Sequence, residues 1–263
     1  MKDLKANKKV IEICSNIFYP MLALALVLAV WAICAKAYGN PLVLPAPDVT
    51  LREFFKMFAQ KLFWVSIGWS LLRTILCFAL SFVLALLFAT LGNLWLPIHK
   101  TLSPIITILR AAPTVAIILI LYAFTANNNL AIVVGFLIAF PIMYSAFYSA
   151  INNVDKDLLE MAKVYKIKPI DKIFGIYLPT ITPTLFDNSK STLSLTFKVV
   201  VAAEILTSIP LSIGERIKYE SNIFDIEYLL AWTIASIVLA FILEGFVSLL
   251  KTIWRKTRWV IWL

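Results

Sequence analysis

Apolar runs long enough to cross a hydrocarbon layer of about 30 Å as helices recur along this chain. They extend from Ile17 to Tyr38, Phe63 to Leu91, Ser103 to Phe124, Leu130 to Ala150, Thr184 to Ile209 and Tyr228 to Trp254. Helices are expected because an open sheet leaves unpaired backbone groups facing lipid. Polar groups interrupt two runs: Arg110 and Pro113 in the third, and Lys190, Lys198 and Glu204 in the fifth. Two connections are too long for simple turns. Residues 39–62 carry Pro41, Pro45 and Pro47, then an amphipathic stretch from Leu51 to Leu62. Residues 151–178 carry alternating charged and apolar positions. The pattern predicts an all-α membrane protein of about six transmembrane helices. It forms a single domain, 17–254, with a long loop at 151–178 and terminal segments 1–16 and 255–263.

Composition agrees with a bilayer environment. Of the 263 residues, 61% are hydrophobic and 15% charged, with a mean hydropathy of +0.89. Soluble domains hold about 45–50% apolar and about 25% charged residues. The net charge of +9 would suggest nucleic-acid binding in a soluble protein. Here the basic residues fall between apolar runs, with Trp and Tyr near the run ends, so they read as orientation signals. No nucleic-acid partner is expected. One set of connections holds Lys100, Arg110, Lys156, Lys163, Lys166, Lys168 and Lys172, together with the basic termini. The opposite set holds Lys36, Arg52, Lys56, Lys61, Arg216 and Lys218. The excess predicts both termini in the cytoplasm. Lys-rich residues 1–9 ahead of an apolar run also fit a signal peptide. The run is longer than the roughly 7–15 residues of a signal core, so a retained first span is expected.

Catalytic constellations are missing from the sequence. Cys14, Cys34 and Cys77 lack metal spacing and are expected to be free thiols. His99 is the only histidine; it is expected to be a solvated loop residue, and no metal site is expected. None of the seven glycines opens a phosphate loop, so this chain is not expected to hydrolyse ATP. The low glycine count also argues against packing through repeated GxxxG faces.

The loop 151–183 is the most informative stretch. Asp155 and Asp157 suit a helix start, and Leu158, Ala162 and Tyr165 recur at helical spacing while Lys156, Glu160 and Lys163 occupy another face. Pro169 suits the first turn of a second short helix, and Pro179 and Pro183 are expected to stop or bend the chain beyond it. Two short helices with a bend near Lys166 to Lys168 result. Such a shape fits a partner's grip or an amphipathic segment lying on the bilayer.

Glu160, Ala162, Ile176, Leu178 and Pro179 fall at the spacing of the cytoplasmic loop signature EAA-x3-G-x9-I-x-LP, and the chain resembles the permeases of bacterial ABC importers. Met161 and Lys166 depart from the signature at its second residue and its glycine. LPAP at 44–47, LRAAPT at 109–114, FKVVVAAEIL at 197–206, FDIEYLLAW at 224–232 and a basic, Trp-containing tail are similar to the branch that imports nitrate, alkanesulfonates, taurine and related solutes. The resemblance implies a permease subunit of the bacterial inner membrane that pairs with a second copy or close homologue. Cytoplasmic ATPase subunits would dock around Glu160, with ATP and Mg on them and no cofactor on this chain. An extracytoplasmic binding protein would deliver substrate, and membrane lipid would surround the whole. Lysine at a positive-φ bend costs roughly 1–2 kcal/mol, so a modified bend is expected at Lys166.

Ionisable groups within apolar runs need protein, water or the interface around them. Arg110, Pro113, Lys198 and Glu204 are the pathway or gating candidates, with snorkelling as the alternative for Arg110. Lys198 and Glu204, six residues apart, lie roughly 120° apart on a helix. A secondary transporter driven by an ion gradient is the alternative class; repeat symmetry and Gly-rich broken helices mark that class, and neither is evident in the sequence.

Overall fold

Along residues 61–94 the exposed side chains are mostly large and apolar and the buried ones mostly small, whereas elsewhere large side chains such as Tyr144, Phe147 and Phe197 are enclosed. The computed structural model describes residues 2–124 and 129–261, with side chains over 18–124 and 129–255. In chain order the helices are α1 (Lys2–Tyr38), α2 (Pro47–Met57), α3 (Lys61–Leu94), α4 (Leu96–Ala111), α5 (Thr114–Phe124), α6 (Leu130–Asn152), α7 (Lys156–Val164) and α8 (Pro169–Lys172). A single π-helical turn, Ile173–Tyr177, leads into α9 (Leu178–Thr207), followed by α10 (Ile213–Asn222) and α11 (Ile226–Ile261). Among the described residues the protein is all-α.

Among the described residues, four helices are long and apolar enough to span a membrane: Phe18–Tyr38, Lys61–Leu94, Leu130–Asn152 and Ile226–Arg255. The expected third span is not one straight helix. α4 and α5 meet at an angle of 100°, because Pro113 restricts the residue before it to extended backbone and Ala112 has φ −70° and ψ 135°. The expected fifth span corresponds to α9, a continuous helix of 30 residues that is too polar to qualify by hydropathy. Its environment explains this. Half of α9 is buried among other helices, including Ser189, Thr192, Ser194, Thr196 and Glu204, so much of its surface meets protein instead of lipid. Pro183 neither stops nor ends α9; it lies within the helix.

α3, α6 and α9 form the centre of the bundle. Beside Phe63, Ile67 and Arg73, the buried face of α3 carries Ser66, Ser70, Thr74, Cys77, Ser81, Ala85, Ala89 and Gly92, one small residue every three or four positions. Close helix approach in a membrane needs such a stripe, and here hydroxyls and alanines largely do what GxxxG motifs do elsewhere. At Gly135 of α6 a Cβ would lie 2.7 Å from the Cys77 sulfur and 3.1 Å from Val200 Cγ2, which shows how tightly the three helices meet. Trp64, Trp69, Leu72, Leu76 and Leu80 of α3 remain exposed.

One apolar cluster closes the end of the bundle that carries α7. It joins Ala85 and Ala89 of α3, Ile106 of α4, Met143 and Phe147 of α6, Ala162 of α7, and Ile176, Ile181 and Leu185. A second lies towards the other end, where Phe54 and Met57 of α2 pack with Phe63, Phe197, Ile213 and Trp232. Glu53 of α2 pairs with Lys56 at 2.6 Å; that contact holds its carboxyl below the ordinary carboxylate range against the opposing effect of burial. α1 touches this assembly chiefly through α2 and its leading loop, with Trp31 Nε1 donating to the Pro45 carbonyl at 3.1 Å. Cys34 is exposed and Cys77 buried, both free thiols; the Cys14 side chain lies outside the described residues.

Candidate functional site: a presented loop and a two-faced helix

The loop between α6 and α9 is built to hold a fixed shape. Asp155 caps α7, its Oδ1 accepting the Asp157 amide at 2.9 Å, which satisfies one of the helix's free N–H groups. At the other end, the Ile167 amide donates to the Ala162 carbonyl at 3.0 Å and the Lys166 amide to Lys163 at 3.1 Å. Lys166 has φ 50°. The helix therefore closes with the left-handed turn that usually carries glycine. The expectation of a modified bend is corrected: the bend is kept, and the two closing hydrogen bonds hold lysine in it. Lys166→Gly is expected to stabilise the turn by about 1 kcal/mol, slowing amide exchange in α7 by about fivefold.

Burial sorts the signature residues into two groups. Ala162 and Ile176 are buried, 3% and 8% exposed, and fasten the loop to the bundle. Leu178 and Pro179 are half-buried where the π-helical turn passes into α9, with Pro179 in the first turn. Glu160, Met161 and Lys166 are exposed. Around them Leu158, Val164, Tyr165, Ile170 and Phe174 also stand exposed, an apolar surface on a segment with charged neighbours.

α9 has two unlike faces. Asp187, Ser191, Leu195 and Lys198 are exposed along one side, and Asp187 pairs with Lys251 of α11 at 2.5 Å. Lys198 makes no hydrogen bond or ion pair among the described residues. Glu204, turned away from that side, is fully buried. Its Oε1 accepts Arg73 Nη1 at 3.0 Å and its Oε2 accepts the Ser70 hydroxyl at 2.7 Å and the Gly214 amide at 3.3 Å. Ser70 in turn accepts the Ile213 amide at 3.0 Å, and Arg73 Nη2 reaches the Pro210 carbonyl at 3.4 Å. One carboxylate thus joins α3, α9 and the positive start of α10. The chain between α9 and α10 is sharply turned, with Ser208 and Leu211 at φ 53° and 54°.

Arg110 and Pro113 sit at the α4–α5 corner. Arg110 is exposed, and its Nη1 donates to Ser145 Oγ at 3.3 Å. His99, at the start of α4, is not the solvated loop residue expected. Its ring lies parallel to Tyr148 at 3.7 Å, and its Nδ1 is 2.9 Å from the Tyr144 hydroxyl. From His99 to Arg110 the contact on α6 barely advances, from Tyr144 and Tyr148 to Ser145, so α4 crosses α6 steeply. His99→Ala is expected to destabilise this crossing by about 1–2 kcal/mol through the lost stack and hydrogen bond. His99→Phe should recover the stacking part, a difference that thermal unfolding in detergent measures.

A loop fastened to the bundle and presenting an apolar surface, a bent third span and a polar helix in the interior all lie within residues 82–256. That stretch matches the model of the binding-protein-dependent transport system inner membrane component family. The chain belongs to that family.

Among its relatives, the nitrate import permease NrtB of Synechocystis is 27% identical, with 89% of this chain and 85% of that protein covered. The bicarbonate transport permease CmpB of Synechococcus elongatus is 27% identical over 78% of this chain and 69% of that one. The aliphatic sulfonates permease SsuC of Escherichia coli is 24% identical over 69% and 70%. The match to NrtB of Leptolyngbya laminosa, 30% identical, spans 53% of that protein and 56% of this chain. In fold the chain is similar to a chain of the inward-facing MetNI methionine ABC transporter, with a TM-score of 0.61, 17% identity, and 71% of this chain and 94% of that one covered.

Family membership favours the permease reading over the ion-coupled alternative. Two features of this permease escaped the sequence reading. The partners of Glu204, Arg73 and Ser70, lie more than 130 residues away, so spacing on one helix gave no hint of them. The small-residue stripe of α3 was visible in the sequence as Ser, Thr, Ala and Gly at every third or fourth position, but a search for paired glycines passes over it.

Proposed function

We propose that this chain forms the translocation pathway of an ATP-driven importer and that the α7–α8 loop is where separate ATPase subunits dock. The observation that carries the proposal is the division of the loop: Ala162 and Ile176 fasten it to the bundle, while Glu160, Val164 and Tyr165 face outward. A short helix seated in a partner cleft and fixed to spanning helices transmits rigid-body motion between the two. ATP and Mg belong to the partner, and both termini and the loop face the cytoplasm of a bacterial inner membrane, following the excess of Lys and Arg on that side. One such bundle encloses only a narrow path, so a second copy or close homologue completes it. A binding protein delivers the solute from the other side. Purification of the tagged chain from its native membranes in mild detergent tests this. Co-purification of an ATPase subunit in fixed ratio is the expected result, and recovery of the chain alone under conditions that preserve other transporters overturns it.

The exposed side of α9 faces the pathway in this proposal, with Lys198 as its unpaired cation and the Arg110–Pro113 corner, beside Ser145, nearer the loop-side end. The named relatives carry nitrate, bicarbonate and aliphatic sulfonates, and a small anion suits an unpaired ammonium group. Lys198→Gln is expected to raise the concentration for half-maximal uptake about tenfold, with Lys198→Arg milder, since an anion contact in a partly desolvated site contributes about 1.5–3 kcal/mol. Unchanged uptake of nitrate, bicarbonate and short alkanesulfonates in both variants removes Lys198 from the pathway. Glu204 has a different role in this proposal: it holds the start of α10 against α3 at the end away from the ATPase.

A further inference from the structure

A groove of about 520 Å³ opens between α3, α9 and α11. Ile75, Ala79 and Val83 line it from α3, Leu185 and Ser189 from α9, and Val247 from α11. Its length, from Ile75 to Leu86 along α3, is about 16 Å at 1.5 Å per residue. The lining is apolar except for Thr182 and Ser189. The Thr182 hydroxyl bonds to the Leu178 carbonyl of its own helix. The Ser189 hydroxyl is buried and has no hydrogen-bond partner among the described residues.

Two observations decide what occupies the groove. The first is its direction. Thr182 in the groove and Ser191 on the polar side of α9 are nine residues apart, about two and a half turns, and so face opposite ways. The groove therefore lies opposite the polar side of α9, among the exposed apolar side chains Ile75 and Val83 of α3. The second is the charge at its mouth, which lies at the end carrying the loop, by Leu86, Leu178 and Trp254. Lys172 sits 5.7 Å over the Tyr177 ring beside Leu178. Lys251 lies one turn before Arg255, which is exposed and makes no ion pair among the described residues. Against these cations stand Asp171 and Asp187, and Asp187 is already engaged by Lys251.

We propose that the α3–α9–α11 groove is a lipid site that takes one acyl chain of an anionic phospholipid, with the headgroup at the Lys172–Arg255 rim. The acyl chain fills a slot of matching length, and each methylene buried adds to affinity in proportion. Basic residues flanking an apolar slot at the membrane surface favour anionic headgroups over zwitterionic ones. The site requires only that the chain lies in a membrane, so it stands or falls independently of what is transported.

The test is native mass spectrometry of the full chain, with whatever subunits accompany it, extracted in mild detergent and exchanged against phosphatidylglycerol or phosphatidylcholine. One phosphatidylglycerol retained per chain, in preference to phosphatidylcholine, is expected. Ala79→Trp fills the groove from an exposed position and should lower that retention about tenfold, the equivalent of roughly two buried methylenes. Leu80→Trp, on the same helix outside the groove, should leave it unchanged. Arg255→Gln should erase the headgroup preference while leaving total lipid in place. Equal retention of both lipids by the unaltered chain, or no effect of Ala79→Trp, overturns the proposal. So does efficient crosslinking between copies through a cysteine at Val83 in native membranes, because a second copy would then fill the groove.

Discussion

Glu204→Ala is expected to destabilise the folded chain by about 3–5 kcal/mol, because it leaves the Arg73 guanidinium buried without a counter-charge. Arg73 is 8% exposed and Glu204 fully buried, so neither charge can turn to water without moving a helix. The Ser70 hydroxyl and the Gly214 amide lose their acceptor in the same step. In detergent the unfolding temperature should fall by on the order of 10 °C. The double variant Arg73→Met with Glu204→Leu should recover a large part of the loss, since replacing a buried pair by apolar groups of similar volume is often neutral. That recovery separates the cost of an orphaned charge from the worth of the pair itself. If the double variant is as unstable as the single one, the pair is needed as an ionic link and not merely as two compensated charges. Gly214→Ala attacks the same junction from the other side. Its Cβ would lie 2.4 Å from Glu204 Cβ, 2.5 Å from the Ile205 nitrogen and 2.7 Å from the Val201 carbonyl oxygen. Two of those are backbone atoms of α9, so α10 must shift away as a unit, and loss of the folded protein is the expected outcome.

Val164→Asp combined with Tyr165→Asp is expected to weaken ATPase docking at least a hundredfold. Both side chains are over 70% exposed, and burying each against a partner is worth about 1.5–3 kcal/mol. Charge reversal at Glu160 alone should act more weakly, since an exposed pair contributes about 0–1 kcal/mol. Ala162→Trp should also uncouple the subunits, but by unseating α7 from the cluster of Ala89, Met143 and Phe147. The measurement is ATPase retained on the tagged permease, read alongside limited proteolysis of the loop. Lost retention with an unchanged cleavage pattern is expected for the double aspartate variant, whereas Ala162→Trp should change both. Full retention in the double aspartate variant would place the docking surface elsewhere.

The spans were legible in the sequence wherever the whole run is apolar. Phe63–Leu91 and Leu130–Ala150 needed no tertiary information, because each is long and apolar enough to cross a bilayer as a helix, although half of the second is buried in the bundle. α9 was harder to read, since burial against α3 and α6 replaces lipid contact with protein contact and admits Ser, Thr, Lys and Glu. The third span was misjudged for a related reason. Arg110 and Pro113 were noted as interruptions, but hydropathy carries no direction, and only the extended backbone at Ala112 makes the turn between α4 and α5. The two loop helices could be read because a cap at Asp155 and Pro169 in a first turn depend on neighbours within a few residues; the left-handed closure at Lys166 could not, because lysine there argued for a modified bend.

The sequence by itself determined the membrane class, the positions of most helices and the two short helices of the loop, because hydropathy and capping act over one or two turns of chain. Tertiary structure alone decided which charge was buried and which was presented. Lys198 and Glu204 differ little in a hydropathy profile, yet one stands exposed and the other is enclosed by Arg73, Ser70 and Gly214. The physical reason is range. A buried carboxylate is tolerable only where donors converge on it, and these donors come from segments more than 130 residues apart on one side and ten on the other.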